Sequence, residues 1–160
     1  MLVGKGIEAA LNEQIGHELA ASLQYVAIAA YCESENLGML AKVFYKQSDE
    51  EREHALKLVD YLVRAGAKAR VPAVPESRSD FSSVEEAVRL AVDWELEVTG
   101  QFNSLMELAI AEKDHLSQAF LAWFVTEQLE EVSSMTRLHE LVQRAGNNLL
   151  MVEAYLIHGG

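Results

Sequence analysis

The two prolines of this 160-residue chain, Pro72 and Pro75, lie in one short segment. That segment, Ala69 to Ser83, combines proline, serine and charged residues without a regular apolar spacing, so it predicts a long connection. Because proline breaks the interior of a helix, its confinement to this segment allows long helices on both sides. The chain is therefore predicted to consist of two helical halves joined by one linker.

Each half is predicted to form a pair of helices separated by a short turn, and a glycine follows the second and the fourth helix as a stop signal. Ser82, with Glu85 three residues later, predicts a capping box at the start of the third helix. The predicted helices span about residues 7–33, 39–65, 82–112 and 117–145.

In every one of these helices, apolar residues recur at alternating steps of four and three, the spacing of helices that pack in a bundle. We call each such row of positions a seam. The short turns predict two antiparallel hairpins, while a linker of about 16 residues can cross the length of the bundle and leave the second and third helices parallel. The sequence thus predicts an all-α fold, a four-helix bundle with one long crossover, as a single domain over residues 1–160.

Polar residues interrupt each seam near its middle, and they repeat between the two halves. In both halves the first two members are 33 residues apart and the third follows three residues later. The members are Glu18, Glu51 and His54 in the first half, and Glu95, Gln128 and Glu131 in the second. Such matched spacing is an internal repeat whose repeated element is a set of potential metal ligands.

These six side chains are expected to meet at one level of the bundle, because residues three apart share a helix face. Burying unpaired charges costs several kcal/mol per ion, and no lysine or arginine occupies a seam position. Either multivalent cations bind there, or the carboxyls are protonated and the bundle is strained. With Cys32 as its one cysteine, the chain offers hard oxygen and imidazole ligands, which suit iron, manganese or zinc.

Further acids flank the seam positions, namely Glu50, Glu53, Glu127 and Glu130. Glutamate also favours exposed helix faces, so two interpretations stand beside each other. These residues are either a solvated face or a third, weaker cation site that leads away from the first two.

The composition excludes several classes of function. A formal net charge of −12, with scattered basic residues, predicts no nucleic-acid partner. The longest apolar stretch near the start is too short and too interrupted to span a membrane, and the first residues show no signal-peptide pattern, so a cytoplasmic location is expected.

The C-terminal segment from Asn147 to His158 predicts a short fifth helix, capped by Asn147 or Asn148 and apolar on almost every face. A helix of about ten residues is not stable alone in water. We therefore expect it to pack into subunit contacts of a homo-oligomer.

Three segments of the chain closely resemble the bacterial non-haem ferritins: LNEQIGHELAASLQYVAIAAYCE, FYKQSDEEREHALKLVDYL and FLAWFVTEQLEEV. The resemblance extends over nearly the whole chain. It implies a cage of 24 subunits that oxidises Fe(II) with dioxygen and stores the ferric product. A non-storing di-iron oxidase or peroxidase of the rubrerythrin type is the alternative, but its second E-x-x-H motif and its cysteine site are absent.

The same resemblance implies a role for each candidate residue. Glu18, bridging Glu51 and His54 match the first iron site; Glu95 and Glu131 match the second, with Gln128 beside it; Glu50, Glu127 and Glu130 match a third iron site, and Tyr25 matches a tyrosine next to the di-iron centre. Haem is not expected, because the haem-binding relatives have a methionine where this chain has Arg52 and a histidine where it has Glu131.

Overall fold

The computed structural model describes residues 1–159, which form five α-helices and no β-strand. They are α1 (Lys5–Ser34), α2 (Gly38–Arg64), α3 (Val84–Ala111), α4 (His115–Ala145) and α5 (Leu150–Ile157). The predicted all-α fold is confirmed, and each predicted helix end lies within three residues of the observed one. Within residues 1–159 no helix is long and apolar enough to cross a bilayer.

The capping box of α3 lies one residue later than predicted. Ser83, not Ser82, is the N-cap, and its hydroxyl accepts a hydrogen bond from the backbone nitrogen of Glu86 at 3.1 Å. The Glu86 carboxylate in turn accepts from the backbone nitrogen and hydroxyl of Ser82, which lowers its pKa to about 2. The capping box is displaced by one residue because Val84, a buried seam residue, occupies the first helical position.

Contacts between the helices establish their directions. Gln14 of α1 bonds Gln101 of α3, while Tyr25, further along α1, bonds Glu95, which is earlier in α3. These two helices are therefore antiparallel. Ser22 of α1 bonds Ser48 of α2, while Glu33, further along α1, accepts from Tyr45, which is earlier in α2, so these helices are antiparallel too. It follows that α2 and α3 run parallel, as the long crossover predicted.

The crossover between α2 and α3 runs along α1 and is held there by two side-chain amides. Asn12 donates to the Lys68 carbonyl at 2.8 Å and accepts from the Arg70 nitrogen. Twelve residues further on, Gln24 makes the same pair of bonds with the backbone of Arg78, at 2.8 and 2.9 Å. At each of these two contacts, one backbone carbonyl and one backbone N–H of the linker thus have a hydrogen-bond partner, although the linker has no regular secondary structure.

Between these two points the crossover touches the surface of α1. A Cβ atom on Gly16 would lie 2.5 Å from Cγ of Pro72. Only glycine allows so close an approach between the helix backbone and the proline ring. The same proline that prevents a helix in the linker therefore fits against α1.

The apolar core is divided into two clusters, one at each end of the bundle. Tyr25, Phe44 and Met135 belong to one cluster, and Ile15, Leu58 and Phe102 belong to the other. Between them lies a buried polar layer, which consists of Glu18, Glu51, His54, Glu95, Gln128 and Glu131. The predicted interruption of all four seams is therefore a single layer across the bundle.

Helix α5 packs against the bundle through Val152, which is buried, and through Glu153. The Glu153 carboxylate accepts hydrogen bonds from the first free amides of α2, those of Met39 and Leu40, at 3.0 and 2.8 Å. This contact replaces the side-chain cap that α2 itself lacks.

The predicted asparagine cap of α5 is wrong, because Leu149 is the N-cap and makes no side-chain capping bond. The turn before α5 instead contains Gly146, whose φ is 57°. Its backbone N–H and carbonyl groups form hydrogen bonds with one another within residues 145–152. Leu150, Met151 and Ile157 remain exposed, so the predicted burial of this helix in subunit contacts stays a prediction.

Candidate metal centre

The six seam residues of the polar layer are almost completely withdrawn from solvent. Three of the carboxylates, Glu18, Glu51 and Glu95, are fully buried, while His54 and Glu131 are 4 % exposed and Gln128 is 2 % exposed. Each comes from the middle of its helix, where the backbone groups bond within the helix. The layer therefore contains four buried acids, one imidazole and one amide.

Glu18, Glu51 and His54 form a first group of potential ligands. The Nδ1 atom of His54 lies 3.3 Å from Oε2 of Glu51 and 3.7 Å from Oε2 of Glu18. One ligand atom from each residue lies within 4.8 Å of the others. Oε2 of Glu18 is buried and has no hydrogen-bond partner among residues 1–159, an arrangement that a bound cation would complete.

Glu51, Glu95 and Glu131 form a second group, with ligand atoms again within 4.8 Å of one another. Glu51 thus belongs to both groups and stands between them. A carboxylate has two oxygens, so one residue can contact two cations at once. The arrangement can hold a pair of adjacent hard cations with Glu51 shared between them.

Gln128 contacts the second group through its amide nitrogen. Nε2 donates to Oε2 of Glu95 at 3.2 Å and to the Thr99 hydroxyl oxygen at 3.1 Å. The structure thus brings Gln128 next to a candidate ligand, and its part in binding metal remains a prediction.

Tyr25 is fully buried and lies directly beside the layer. Its hydroxyl donates to Oε1 of Glu95 at 2.5 Å. Burial raises the pKa of Tyr25 well above its usual value, and the nearby charge of Glu95 adds to the effect. The side chain is therefore a neutral phenol that orients Glu95.

The flanking acids are less closely grouped than the acids of the layer. Glu127 comes together with His54 and Glu131 in a third group of potential ligands, whereas Glu50 and Glu130 belong to none of the groups among residues 1–159. All three line a cavity of about 450 Å³ between α2 and α4, which also reaches Glu131. We call this the α2–α4 cavity. Glu53, by contrast, is exposed.

Burial raises the pKa of every acid in the second group. The pKa reaches about 7 for Glu51 and about 8 for Glu95 and Glu131, because burial disfavours the charged form and the neighbouring carboxylates repel one another. Burial alone would lower the pKa of His54, but hydrogen bonds to Glu18 and Glu51 outweigh it and raise the pKa to about 11. Without a cation, the layer therefore retains protons at neutral pH.

Two further glutamines contact the candidate ligands, and the prediction of site residues omitted them. Gln14 donates to Oε1 of Glu18 at 3.0 Å, and Gln47 donates to Oε1 of Glu51 at 3.2 Å and also to Oε2 of Glu131. Both occupy seam positions one turn before the glutamate, so the spacing that revealed the acids also contained this signal.

Trp123 was also missed, and no feature of the sequence pattern indicates its place. Its indole and the His54 ring pack in a T-shaped arrangement, with centroids 5.5 Å apart. Nζ of Lys57 lies over the face of the indole, 3.3 Å from the centre of the ring. The imidazole is therefore supported by an aromatic wall from α4.

Comparison with known proteins gives matches over most of the chain. A family model described as the ferritin-like domain matches residues 8–145. Ferritin BfrB of Mycolicibacterium smegmatis is 40% identical over 148 residues, covering 92% of this chain and 82% of that protein. The bacterial non-heme ferritin of Staphylococcus aureus is 37% identical over 147 residues, covering 92% of this chain and 89% of that protein.

A solved structure of similar shape is an open pore ferritin from the archaeon Archaeoglobus fulgidus. It superposes with a TM-score of 0.94 at 30% identity and covers 97% of this chain and 96% of its own. The likeness therefore extends over nearly all of both chains.

Proposed function

Since the chain belongs to the ferritin family, we propose that it stores iron by oxidising Fe(II) with dioxygen at the buried polar layer. The ferric product is then deposited as an oxo-hydroxide inside a hollow homo-oligomer. The observation that carries this proposal is the sharing of Glu51 between two groups of buried ligand atoms.

Two substrate Fe(II) ions occupy the two groups in this proposal. Glu18, Glu51 and His54 hold the first ion, Glu51, Glu95 and Glu131 hold the second, and Gln128 lies beside the second site. Each ion gives up one electron, so the pair reduces one dioxygen by two electrons, and two protons complete the product as hydrogen peroxide. Carboxylates stabilise Fe(III) more than Fe(II), because the higher charge gains more from anionic oxygen ligands, so the ligand set itself favours oxidation.

The α2–α4 cavity supplies the route between this pair of sites and the surroundings. Glu50, Glu127 and Glu130 line the cavity and provide acidic groups along it, and Glu127 reaches His54 and Glu131. We propose that these three residues form a third, weaker iron site. Iron that arrives there passes to the buried layer or leaves it as Fe(III).

Proton release accompanies iron binding. Burial raises the pKa of Glu95 and Glu131 to about 8, so both carry protons near neutral pH, and a cation displaces them. The Tyr25 phenol keeps its own proton and holds Oε1 of Glu95 by a hydrogen bond. Its role is to orient this ligand.

The proposed assembly is a homo-oligomer of 24 subunits in the cytoplasm, with no haem and with no nucleic-acid or membrane partner. Leu150, Met151 and Ile157 of α5 are more than half exposed in the single chain. An exposed apolar helix of this length is unfavourable in water, which supports its burial between subunits. The hydrogen bond between Glu153 and the start of α2 holds α5 in place on its own chain, so it determines which face of α5 is left for a neighbouring subunit.

Aerobic addition of Fe(II) to the purified, metal-free protein tests this function. The parent protein should oxidise iron much faster than buffer does and should form electron-dense cores in large particles. Glu51→Ala should abolish the rapid phase, because it removes the residue common to both groups.

The matched control is Glu53→Ala, which removes an exposed glutamate two positions away on the same helix. It should keep the parent rate. The proposal fails if the parent oxidises iron no faster than buffer, or if Glu51→Ala retains the rapid phase while remaining folded.

A further inference from the structure

Two glutamines occupy equivalent positions beside the first metal site. Gln14 precedes Glu18 by four residues and Gln47 precedes Glu51 by four residues, so each lies one helical turn from its glutamate. The equivalent positions in the second half of the chain are apolar, Ala91 and Phe124. An amide at this position is therefore found on α1 and α2 and not on α3 and α4.

The Gln14 amide holds one particular oxygen of Glu18. Nε2 donates at 3.0 Å to Oε1 of Glu18 and at 3.0 Å to Oε1 of Gln101. The second oxygen, Oε2, makes no hydrogen bond within the described part of the chain and lies 3.7 Å from Nδ1 of His54. One carboxylate oxygen is thus engaged by the amide, and the other is left free towards the imidazole.

Gln47 makes an equivalent arrangement on α2. Its Nε2 donates to Oε1 of Glu51 at 3.2 Å, while Oε2 of Glu51 lies 3.3 Å from Nδ1 of His54. The same nitrogen donates to Oε2 of Glu131 on α4. In both glutamates Oε1 is bound to an amide and Oε2 faces His54.

We propose that Gln14 and Gln47 are positioning residues that select Oε2 of Glu18 and Oε2 of Glu51 as the ligand atoms of the first metal site. This inference rests on the proposed metal centre and adds residues that act on the ions only through other ligands. By engaging one oxygen, each amide fixes the rotation of the carboxylate before a cation arrives. The free-energy cost of ordering the carboxylate then arises on folding and no longer reduces the affinity for the cation.

The hydrogen bond from Gln14 to Gln101 distinguishes a positioning role of Gln14 from simple filling of the core. Gln14 is 2 % exposed, and it uses both hydrogens of its amide, one on Glu18 and one on Gln101 of α3. Glu18 is therefore fixed relative to α3 as well as to its own helix. Gln24, on the same helix, bonds the crossover backbone and no candidate ligand, so it provides a matched control.

Co(II) binding to the metal-free protein tests the proposal without turnover, because the visible absorption of Co(II) reports its coordination geometry. Gln14→Met and Gln47→Met keep the side-chain length and remove the donors. Each should weaken binding at the first site by about 10-fold to 100-fold, the usual effect of losing a partner of a metal ligand. Each should also change the Co(II) absorption band.

Gln24→Met should lower resistance to urea and leave both the Co(II) affinity and the spectrum unchanged. If Gln14→Met does not fold, Gln101→Leu replaces it, since this partly exposed residue anchors the Gln14 amide without touching Glu18. Parent affinity and parent spectrum in the folded variants overturn the inference. A parent protein that binds no Co(II), in contrast, refutes the metal centre itself and the inference with it.

Discussion

Replacing Glu95 with glutamine should make the stability of the metal-free protein less dependent on pH. Glu95 is fully buried, and burial followed by the charge of Glu51 raises its pKa from 4.5 to about 8. A proton on this carboxyl therefore favours the folded state. That contribution is complete below pH 4.5 and is lost as the pH rises through about 8.

The size of the effect follows from the pKa. A rise from 4.5 to about 8 corresponds to about 5 kcal/mol at about 1.4 kcal/mol per pH unit. The charges of Glu51 and Glu131 are coupled to that of Glu95, so a single substitution removes only part of this free energy, and we expect about 2 to 5 kcal/mol. Glutamine keeps the shape and an oxygen that can accept from Tyr25, but it never ionises.

Urea unfolding of chelator-treated protein between pH 5 and 9 measures this effect. The free energy of unfolding of the parent should fall as the pH rises, and that of Glu95→Gln should fall less, so that the two curves separate on the alkaline side. Glu130→Gln, an exposed glutamate of α4, should follow the parent. Parallel curves for parent and Glu95→Gln would refute the assignment of a buried, protonated carboxyl.

Two further predictions concern contacts around the centre. Gly16→Ala should destabilise the fold by about 1 to 3 kcal/mol in urea unfolding, because its Cβ would lie 2.5 Å from the crossover proline; unchanged stability would mean that the crossover is not held at this point. In a Trp94→Phe background, Co(II) should quench the fluorescence of Trp123, whose ring packs against His54. Adding His54→Ala should weaken the quenching, because the first site loses a ligand while the second keeps its three carboxylates; unchanged quenching would place the ion elsewhere.

The fold could be predicted from the sequence to a large extent because its determinants are periodic. Prolines confined to one linker and apolar residues at heptad spacing require long packed helices. The matched 33-residue spacing predicts that Glu18, Glu51 and His54 share one level of the bundle, and their ligand atoms do lie close together. Contacts that depend on one side chain meeting a distant backbone were not predictable. The Glu153 cap of α2 joins residues more than 100 positions apart and follows no local pattern.

The same limit applies within the candidate site. Seam spacing gives the level of a residue along the bundle, but not which atom it offers or what supports it. The orientation of the Glu18 oxygens is set by Gln14, and the support of His54 comes from Trp123, which lies beside a seam position. The predicted third site likewise depended on side-chain direction, and of its three residues Glu127 is the one that shares a group of close ligand atoms with the centre.

The crossover makes the two walls around the polar layer mechanically unequal. Glu18 lies midway between the two points, Asn12 and Gln24, at which the linker is tied to α1, so this helix is braced from outside at the height of the ligands. On the opposite side, α2 and α4 enclose a cavity, and the Gln47 amide joins the two helices through Glu131, which is itself a candidate ligand. The ties of α1 are made by Asn12 and Gln24, which are not candidate ligands. We therefore expect a change of bound ion to disturb the α2–α4 contact more than the α1 wall. The linker that divides the sequence into halves thus also keeps α1 in place independently of the ion.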